Sequence, residues 1–190
     1  MSIETSRLVL RHWQAGDLEP FHQLNSDPNV MRYFPATLSK QESDSIAERL
    51  SQIIEKKGWG FWAVELKGTN EFIGFVGLLS QDKSAIPETP FVEIGWRLSY
   101  AHWGKGYASE AAHACLKFAF EQLTLDAVYA FTALPNKPSR KVMERLGMHN
   151  TRQDFDHPSL AKGHVLERHC LYKITSDQWS LTSGLRGDNQ

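Results

Sequence analysis

The chain has 190 residues, with 21 Lys and Arg against 22 Asp and Glu and a formal net charge of −1. That length suits one domain burying roughly two thirds of its unfolded surface, and the near-zero charge supplies no broad positive field for DNA, RNA or an anionic membrane. Arg7 and Arg11 break the first apolar stretch, so it lacks the order of a secretory signal. No apolar run approaches the length of a membrane span. Cys115 and Cys170 both sit in apolar segments and read as buried thiols of a cytoplasmic protein.

In chain order, Leu8, Leu10 and His12 alternate with Arg7, Val9 and Arg11, which predicts an opening strand with one polar face. Asp17 is expected to cap a short helix to about Asn25, and "SDPNVMRYFP" is a loop. Ser39 and Glu42 form a capping box ahead of the stripe Ile46, Leu50, Ile53 and Ile54, a helix ended by Gly58. Strands follow at "GFWAVEL", "EFIGFVGLLS" and "FVEIGWRL", with "QDKSAIPETP" a loop before the last. Trp59, Phe61 and Trp62 read as core or edge packing. A helix from about Tyr107, the strand "AVYAFTA" and the helix "NKPSRKVMERLG" come next. A strand pair, "MHNTRQDF" and "HVLERHCLYKI", closes around "DHPSLAKG". No repeat or linker divides the chain, so residues 1–182 read as a single domain and 183–190 as a frayed tail. Short antiparallel connections with one crossover helix give a mixed α+β sheet.

The stretch "WGKGYASEAA", from Trp103 to Ala112, opens a helix with no Ser, Thr, Asp or Asn between Ala101 and Ala108. Helix starts strongly prefer such a residue, and first-turn amides need acceptors. A Walker A loop requires Ser or Thr after Gly-Lys, and here Gly106 follows Lys105. A dinucleotide fingerprint wants an acid at the end of the next strand, whereas Asp126 precedes it. What remains is a turn whose successive amides converge on a pyrophosphate, or a Gly-rich turn satisfied by water. Ala108, Ala112, Cys115 and Ala119 form a small-residue stripe that lets the helix lie close to a sheet.

With "SRLVLRHWQAGDLEPFHQLNSDPNVMRYF", "VEIGWRLSYAHWGKGYASEAA", "NKPSRKVMERLGM" and "HCLYKI", nearly the whole chain resembles the GNAT N-acyltransferase superfamily. The likeness is closest to the branch of the ribosomal-protein alanine acetyltransferases. The family loop Gln/Arg-x-x-Gly-x-Gly/Ala falls on Trp103, Gly106 and Ala108, with Trp103 in the Gln/Arg place. The resemblance implies a mostly antiparallel twisted sheet flanked by helices, whose central strands splay into a cleft for acetyl-CoA. It places main-chain groups near Trp96 and Leu98 against the pantetheine arm. Gly104, Lys105, Gly106, Tyr107 and Ala108 then hold the pyrophosphate, Asn136 meets the arm, and Arg140 approaches the phosphates.

Acetyl transfer requires a neutral amine, an oxyanion donor and a proton or hydrogen bond for the departing thiolate. Ser139 is either the donor to the leaving sulfur, as the resemblance implies, or the N-cap of its own helix. Glu93 is either the base that takes the amine proton or an ion-pair partner of Arg97 or another neighbour. Tyr33 and Phe34 are candidates for the acceptor wall. Asp154 and His157 are expected to border the acceptor, with His157 titrating near neutrality and Asp156 organising a turn. His157, His164 and His169 fit no zinc spacing, so no metal is expected. The expected activity is transfer of acetyl from acetyl-CoA to a protein N-terminus or small amine, by a monomer or homodimer that binds neither nucleic acid nor membrane. The alternative is a non-catalytic acyl-CoA sensor.

Overall fold

The computed structural model describes residues 2–187, and for 182–187 the backbone alone. It is a mixed α+β fold in which the chain divides into two compact units, Met1–Leu79 with Ile94–Cys115 and Ser80–Glu93 with Leu116–Gln190.

The first unit begins with β1 (Ile3–Glu4) and β2 (Leu8–Arg11), then α1 (Leu18–Ser26) and α2 (Lys40–Lys57). β3 (Phe61–Leu66) follows, with most of β4 (Glu71–Gln81), the second half of β5 (Phe91–Leu98) and the start of α3 (Tyr107–Glu121). β1, β2, β3 and β4 pair in that order, each antiparallel to the next. Leu8 and Leu10 are fully buried while Val9 and Arg11 between them are not, the alternation of a one-sided strand. A cluster of Phe21, Leu24, Val30, Met31, Ala47, Leu50 and Phe75 forms a core. Each such side chain contributes about 1.5–3 kcal/mol through burial.

α2 starts as its sequence requires. The Ser39 side chain accepts from Glu42 N–H, the Glu42 carboxylate accepts from Ser39 N–H at 2.7 Å, and Gly58 ends the helix at φ 78°. Asp17 departs from expectation. It makes no side-chain cap on α1, because Arg11 takes both carboxylate oxygens at 2.8 and 2.9 Å and Gln14 N–H donates to one of them. A guanidinium that fits both oxygens outcompetes one helix amide.

The second unit centres on β6 (Ala127–Ala133), which runs parallel to β5, with Glu93 opposite Tyr129, and antiparallel to β9 (Arg168–Thr175). α4 (Lys137–Arg145) follows β6, and β7 (His149–Asn150) and β8 (Phe155–Asp156) both pair with β9. Ile86, Phe91, Tyr129, Phe155 and Leu171 are its core. The strand expected at "MHNTRQDF" is interrupted between β7 and β8. There Asn150 Oδ1 accepts from Arg152 N–H, and Arg152 turns to φ 62°. The start of its expected partner, "HVLE", is a turn in which His164 O accepts from Glu167 N–H.

A helix absent from the sequence reading, α5 (Ser176–Gly187), closes the chain. Its signal was present: Thr175 Oγ1 accepts from Gln178 N–H and Gln178 Oε1 accepts from Thr175 N–H, a capping box written T-x-x-Q. It takes in residues 183–187 of the expected tail, and 188–190 lie outside the described residues.

Candidate active site

In the first unit, β5 leads through a turn of 3₁₀ helix, Tyr100–His102, into the loop Trp103–Gly106 and then α3. Trp103 ties this loop to the strand: its indole N–H donates to Leu98 O at 2.8 Å, and its ring meets Tyr100 edge-on. The side chain in the Gln/Arg place therefore braces the loop, and one main-chain group assigned to the pantetheine arm, Leu98 O, carries an internal bond. Trp96 is half-buried on the same strand.

Gly104 and Gly106 have φ of 73° and 82°, the left-handed region that costs other L-residues roughly 1–2 kcal/mol. The α3 ladder begins with Glu110 N–H to Gly106 O at 3.0 Å. The amides of Tyr107, Ala108 and Ser109 thus lie ahead of it. Gly104, Lys105 and Gly106 are exposed, and a Cβ on Gly104 would meet nothing within 4 Å. Successive amides at the positive end of a helix, reached across a surface without side chains, make an anion cradle. Behind it Ala112, Cys115 and Ala119 of the small-residue stripe are fully buried, and Ala108, its first member, is half-buried. Burial pushes the Cys115 thiol upward, so it offers no thiolate nucleophile.

The sequence reading missed the brace of this loop. Glu110, in the first turn of α3, accepts from the hydroxyls of Thr5 and Ser6 and from Arg7 N–H and Nε. Desolvation raises its pKa, but these bonds outweigh that and hold its carboxyl below the usual range. Arg7 Nη1 also donates to Lys105 O at 3.0 Å, and its guanidinium lies 4.5 Å from the Tyr107 ring centroid. Arg7 thus clasps both ends of the turn. No motif marks it, because its partners are about a hundred residues away. Beside the loop, buried His102 bonds Ser99 through Nδ1, and desolvation lowers its pKa.

Tyr33 and Phe34 lie between α1 and α2. Tyr33 is half-buried beneath Arg32, and Phe34 is 38% exposed with the Arg97 guanidinium 4.2 Å from its ring centroid. Arg97 donates to Asn25 Oδ1 at 2.8 Å.

In the second unit, Glu93 is buried, and desolvation raises its pKa to about 7, opposed by a hydrogen bond from Gln81 and the charge of Lys83. Among the described residues Arg97, one of the ion-pair partners considered for it, donates to Asn25 instead and is not paired with Glu93. A carboxylate so placed is half ionised at neutral pH, the property a general base needs.

Ser139 is not the cap of α4, contrary to one of its two readings. That place belongs to Asn136, whose Oδ1 accepts from Ser139 N–H while its Nδ2 donates to Thr132 Oγ1 at 2.9 Å. The Ser139 hydroxyl is therefore not needed as a cap. Arg140 is half-buried, with Nε donating to Tyr172 OH and Nη1 to Leu134 O, both at 3.4 Å.

Asp156 pairs with Arg168 across β8 and β9 rather than organising a turn. His157 does not titrate near neutrality. Burial, His169 and Lys83 push it down to about 4, and its ring lies 4.8 Å from that of His169 beside Phe131 and Phe155. Its Nδ1 accepts from Ser159 N–H. Asp154 is half-buried. Among the described residues no group of three or more His, Cys, Asp or Glu could hold a metal ion, and no helix is long and apolar enough to cross a membrane.

A family profile described as "Acetyltransferase (GNAT) domain" matches residues 7–149. YkkB of Bacillus subtilis is 34% identical over 151 residues, 78% of this chain and 85% of that protein. The uncharacterized N-acetyltransferase YnaD of the same organism is 29% identical over 182 residues, 95% of this chain and all of its own length. A GNAT-family acetyltransferase structure from Bacillus anthracis superposes with a TM-score of 0.77 at 28% identity, covering 93% of this chain and 99% of that one. Two more distant structures share the fold. Spermidine N-acetyltransferase from Vibrio cholerae, solved with CoA and spermine, has a TM-score of 0.71 at 22% identity, with 93% and 99% covered. Ribosomal-protein-S5-alanine acetyltransferase from Vibrio fischeri has 0.70 at 21%, with 94% and 98% covered.

Proposed function

Since the chain belongs to the GNAT acetyltransferase family and is an acetyl-CoA-dependent acyltransferase, we propose that it acetylates a primary amine by direct attack, with no covalent enzyme intermediate. The observation that carries this reading is the bare start of α3: two left-handed glycines, an open approach and first-turn amides ahead of the helical ladder. These are the groups that would grip the diphosphate of acetyl-CoA, with Lys105 adding charge and Tyr107 and Ala108 adding amides. Trp96, Leu98, Asn136 and Arg140 are proposed as further cofactor contacts.

Each chemical requirement has a candidate. The ionised fraction of Glu93 at neutral pH takes the amine proton, directly or through water. Main-chain amides of β5 polarise the thioester carbonyl. Ser139 donates to the departing sulfur. Tyr33 and Phe34 wall the acceptor, with Asp154 and His157 at its border; His157 serves there as a neutral hydrogen-bonding ring.

The acceptor is a protein N-terminus or a small amine. The ribosomal-protein alanine branch supports the first through the quoted sequence segments, and the spermidine acetyltransferase of Vibrio cholerae, 28% identical over 142 residues, supports the second. A titration of acetyl-CoA followed by CoA release across a panel of amines and amino-terminal peptides tests the function. Saturable binding with release for at least one amine is expected. Tight binding without release from any of them would leave a sensor instead of an enzyme.

A further inference from the structure

Arg97 is held in a way that its own fold leaves unfinished. Nη1 donates to Asn25 Oδ1 at 2.8 Å, and Asn25, fully buried, is itself fixed by Ser43 Oγ at 2.9 Å. The guanidinium carbon lies 4.2 Å from the Phe34 ring centroid and 5.4 Å from that of Phe75. Nε is closed off from solvent and has no hydrogen-bond partner. Among the described residues, Nη1 is the one guanidinium nitrogen with an acceptor, and no carboxylate lies within ion-pair distance.

Arg11 shows what a satisfied arginine looks like in the same unit, with Asp17 on one edge and Glu65 on the other. An amide oxygen and two aromatic faces do not neutralise a cation. A half-buried guanidinium whose Nε is closed off from solvent, with no counter-ion beside it, is costly. Desolvation lowers the Arg97 pKa only to about 10, so the group keeps its charge at neutral pH. The two nitrogens left without acceptors, Nε and Nη2, form the edge of a guanidinium that takes a carboxylate with two parallel bonds. Phe34, at 38% exposure, lies against the guanidinium by its ring face.

We propose that Arg97 is a specificity-determining residue that receives a carboxylate carried by the acceptor, so that the preferred acceptor is a small amine also bearing a carboxylate. This rests on the amine-acetylation reading and names its substrate class. Asn25 fixes the guanidinium from behind, Phe34 supplies the apolar wall, and the positive charge repels polycationic amines. Phe34→Ala should expose the cation and loosen selection by size while leaving selection for the carboxylate.

The test is CoA release with glycine, alanine, phenylalanine and glutamate, each beside its α-carboxamide and its α-decarboxylated amine, and with spermidine. Wild type, Arg97→Gln and Arg97→Lys are compared as ratios within each pair, and comparison of each ratio between variants cancels the intrinsic reactivity of each amine. The carboxylate member should be favoured about tenfold or more in wild type, mainly through KM. Arg97→Gln should reduce that ratio to about twofold. Arg97→Lys, which keeps the charge without the fork, should fall between. Melting temperature and acetyl-CoA affinity report whether each variant is folded, and the wild-type ratio stands even if Arg97→Gln is not. Equal or better use of the carboxamides, decarboxylated amines or spermidine by wild type, or an unchanged ratio in folded Arg97→Gln, would overturn the proposal while leaving amine acetylation intact. Absence of release with every member of this panel, despite acetyl-CoA binding, would overturn the proposal, and absence with amino-terminal peptides as well would remove amine acetylation too.

Discussion

Two helix starts in the first unit are opposites. At α2, the Ser39 side chain and the Glu42 carboxylate close on each other's backbone amides. The carboxyl of Glu42 is drawn below its ordinary value by those bonds. At α3, the acid of the first turn faces away, toward Thr5, Ser6 and Arg7, and glycine occupies the position before Tyr107. One start is complete within itself; the other leaves its first-turn amides ahead of the helical ladder, where the diphosphate is proposed to bind. The same division runs through the carboxylates: Glu42 is held ionised by donors, whereas Glu93 is buried and pushed up to about 7. A capped helix end contributes stability, and an uncapped one in a braced frame offers binding. The fold spends hydrogen bonds on Glu110 to hold the α3 end in place without filling it.

The largest effect should come from the reserved carboxylate. Glu93→Gln is expected to lower kcat by about 100-fold or more and to erase the acidic limb of the pH–rate profile near pH 7. The stability consequence has the opposite sign. Because the folded-state pKa is raised from 4.5 to about 7, the folded protein retains this proton longer than the unfolded chain. The stability of the wild type relative to Glu93→Gln is therefore greatest below about pH 4.5 and declines as pH rises through 7, by on the order of 3 kcal/mol. Denaturant unfolding of both proteins from pH 4 to pH 8 measures it; a difference that does not change with pH would contradict a buried, desolvated Glu93.

Gly106→Ala comes next. It forces a φ of 82° on a residue with a Cβ, placed 3.4 Å from Arg7 Nη2. The strain, about 1–2 kcal/mol, should appear as roughly tenfold weaker acetyl-CoA binding by calorimetry. Undiminished affinity would show that the α3 start is not the diphosphate site. Ser139→Ala should reduce kcat severalfold with unchanged acetyl-CoA affinity and an intact α4, because Asn136 supplies the cap. Steady-state kinetics beside a binding titration separate the two, and unchanged turnover would dismiss the serine as sulfur donor.

Arg7→Ala removes the clasp. The Arg7–Glu110 pair is half exposed, so the expected loss in acetyl-CoA affinity is only about two- to fivefold. Ser39→Ala marks the other side of the contrast. It should cost about 1 kcal/mol in unfolding free energy and leave acetyl-CoA affinity unchanged. A binding defect there would mean that the two helix starts do not divide their tasks.

Features governed by neighbours in the chain were legible from the sequence. α2, with its box at Ser39 and Glu42 and its stop at Gly58, is a local structure whose signals lie within a few residues of the groups they satisfy. The left-handed glycines before α3 and the buried small stripe behind it were equally plain. α5 carries a local signal too, the box of Thr175 and Gln178, but it follows β9 without a break and so is masked by the strand pattern.

The amino-acid order alone thus settled most of the element types up to β6, the mixed sheet and the presence of an unusual helix start, since propensity, periodicity and capping act over one or two turns. Tertiary structure decided which competing partner each polar group took. Asp17 went to Arg11 instead of its helix, Glu110 to the amino-terminal segment, and Asn136 to the cap that Ser139 was a candidate for. It also decided how far charged groups were desolvated, the buried Glu93 and the half-buried Arg97 among them. Hydrogen bonding and desolvation depend on what arrives from distant parts of the chain, and spacing along the sequence does not encode that.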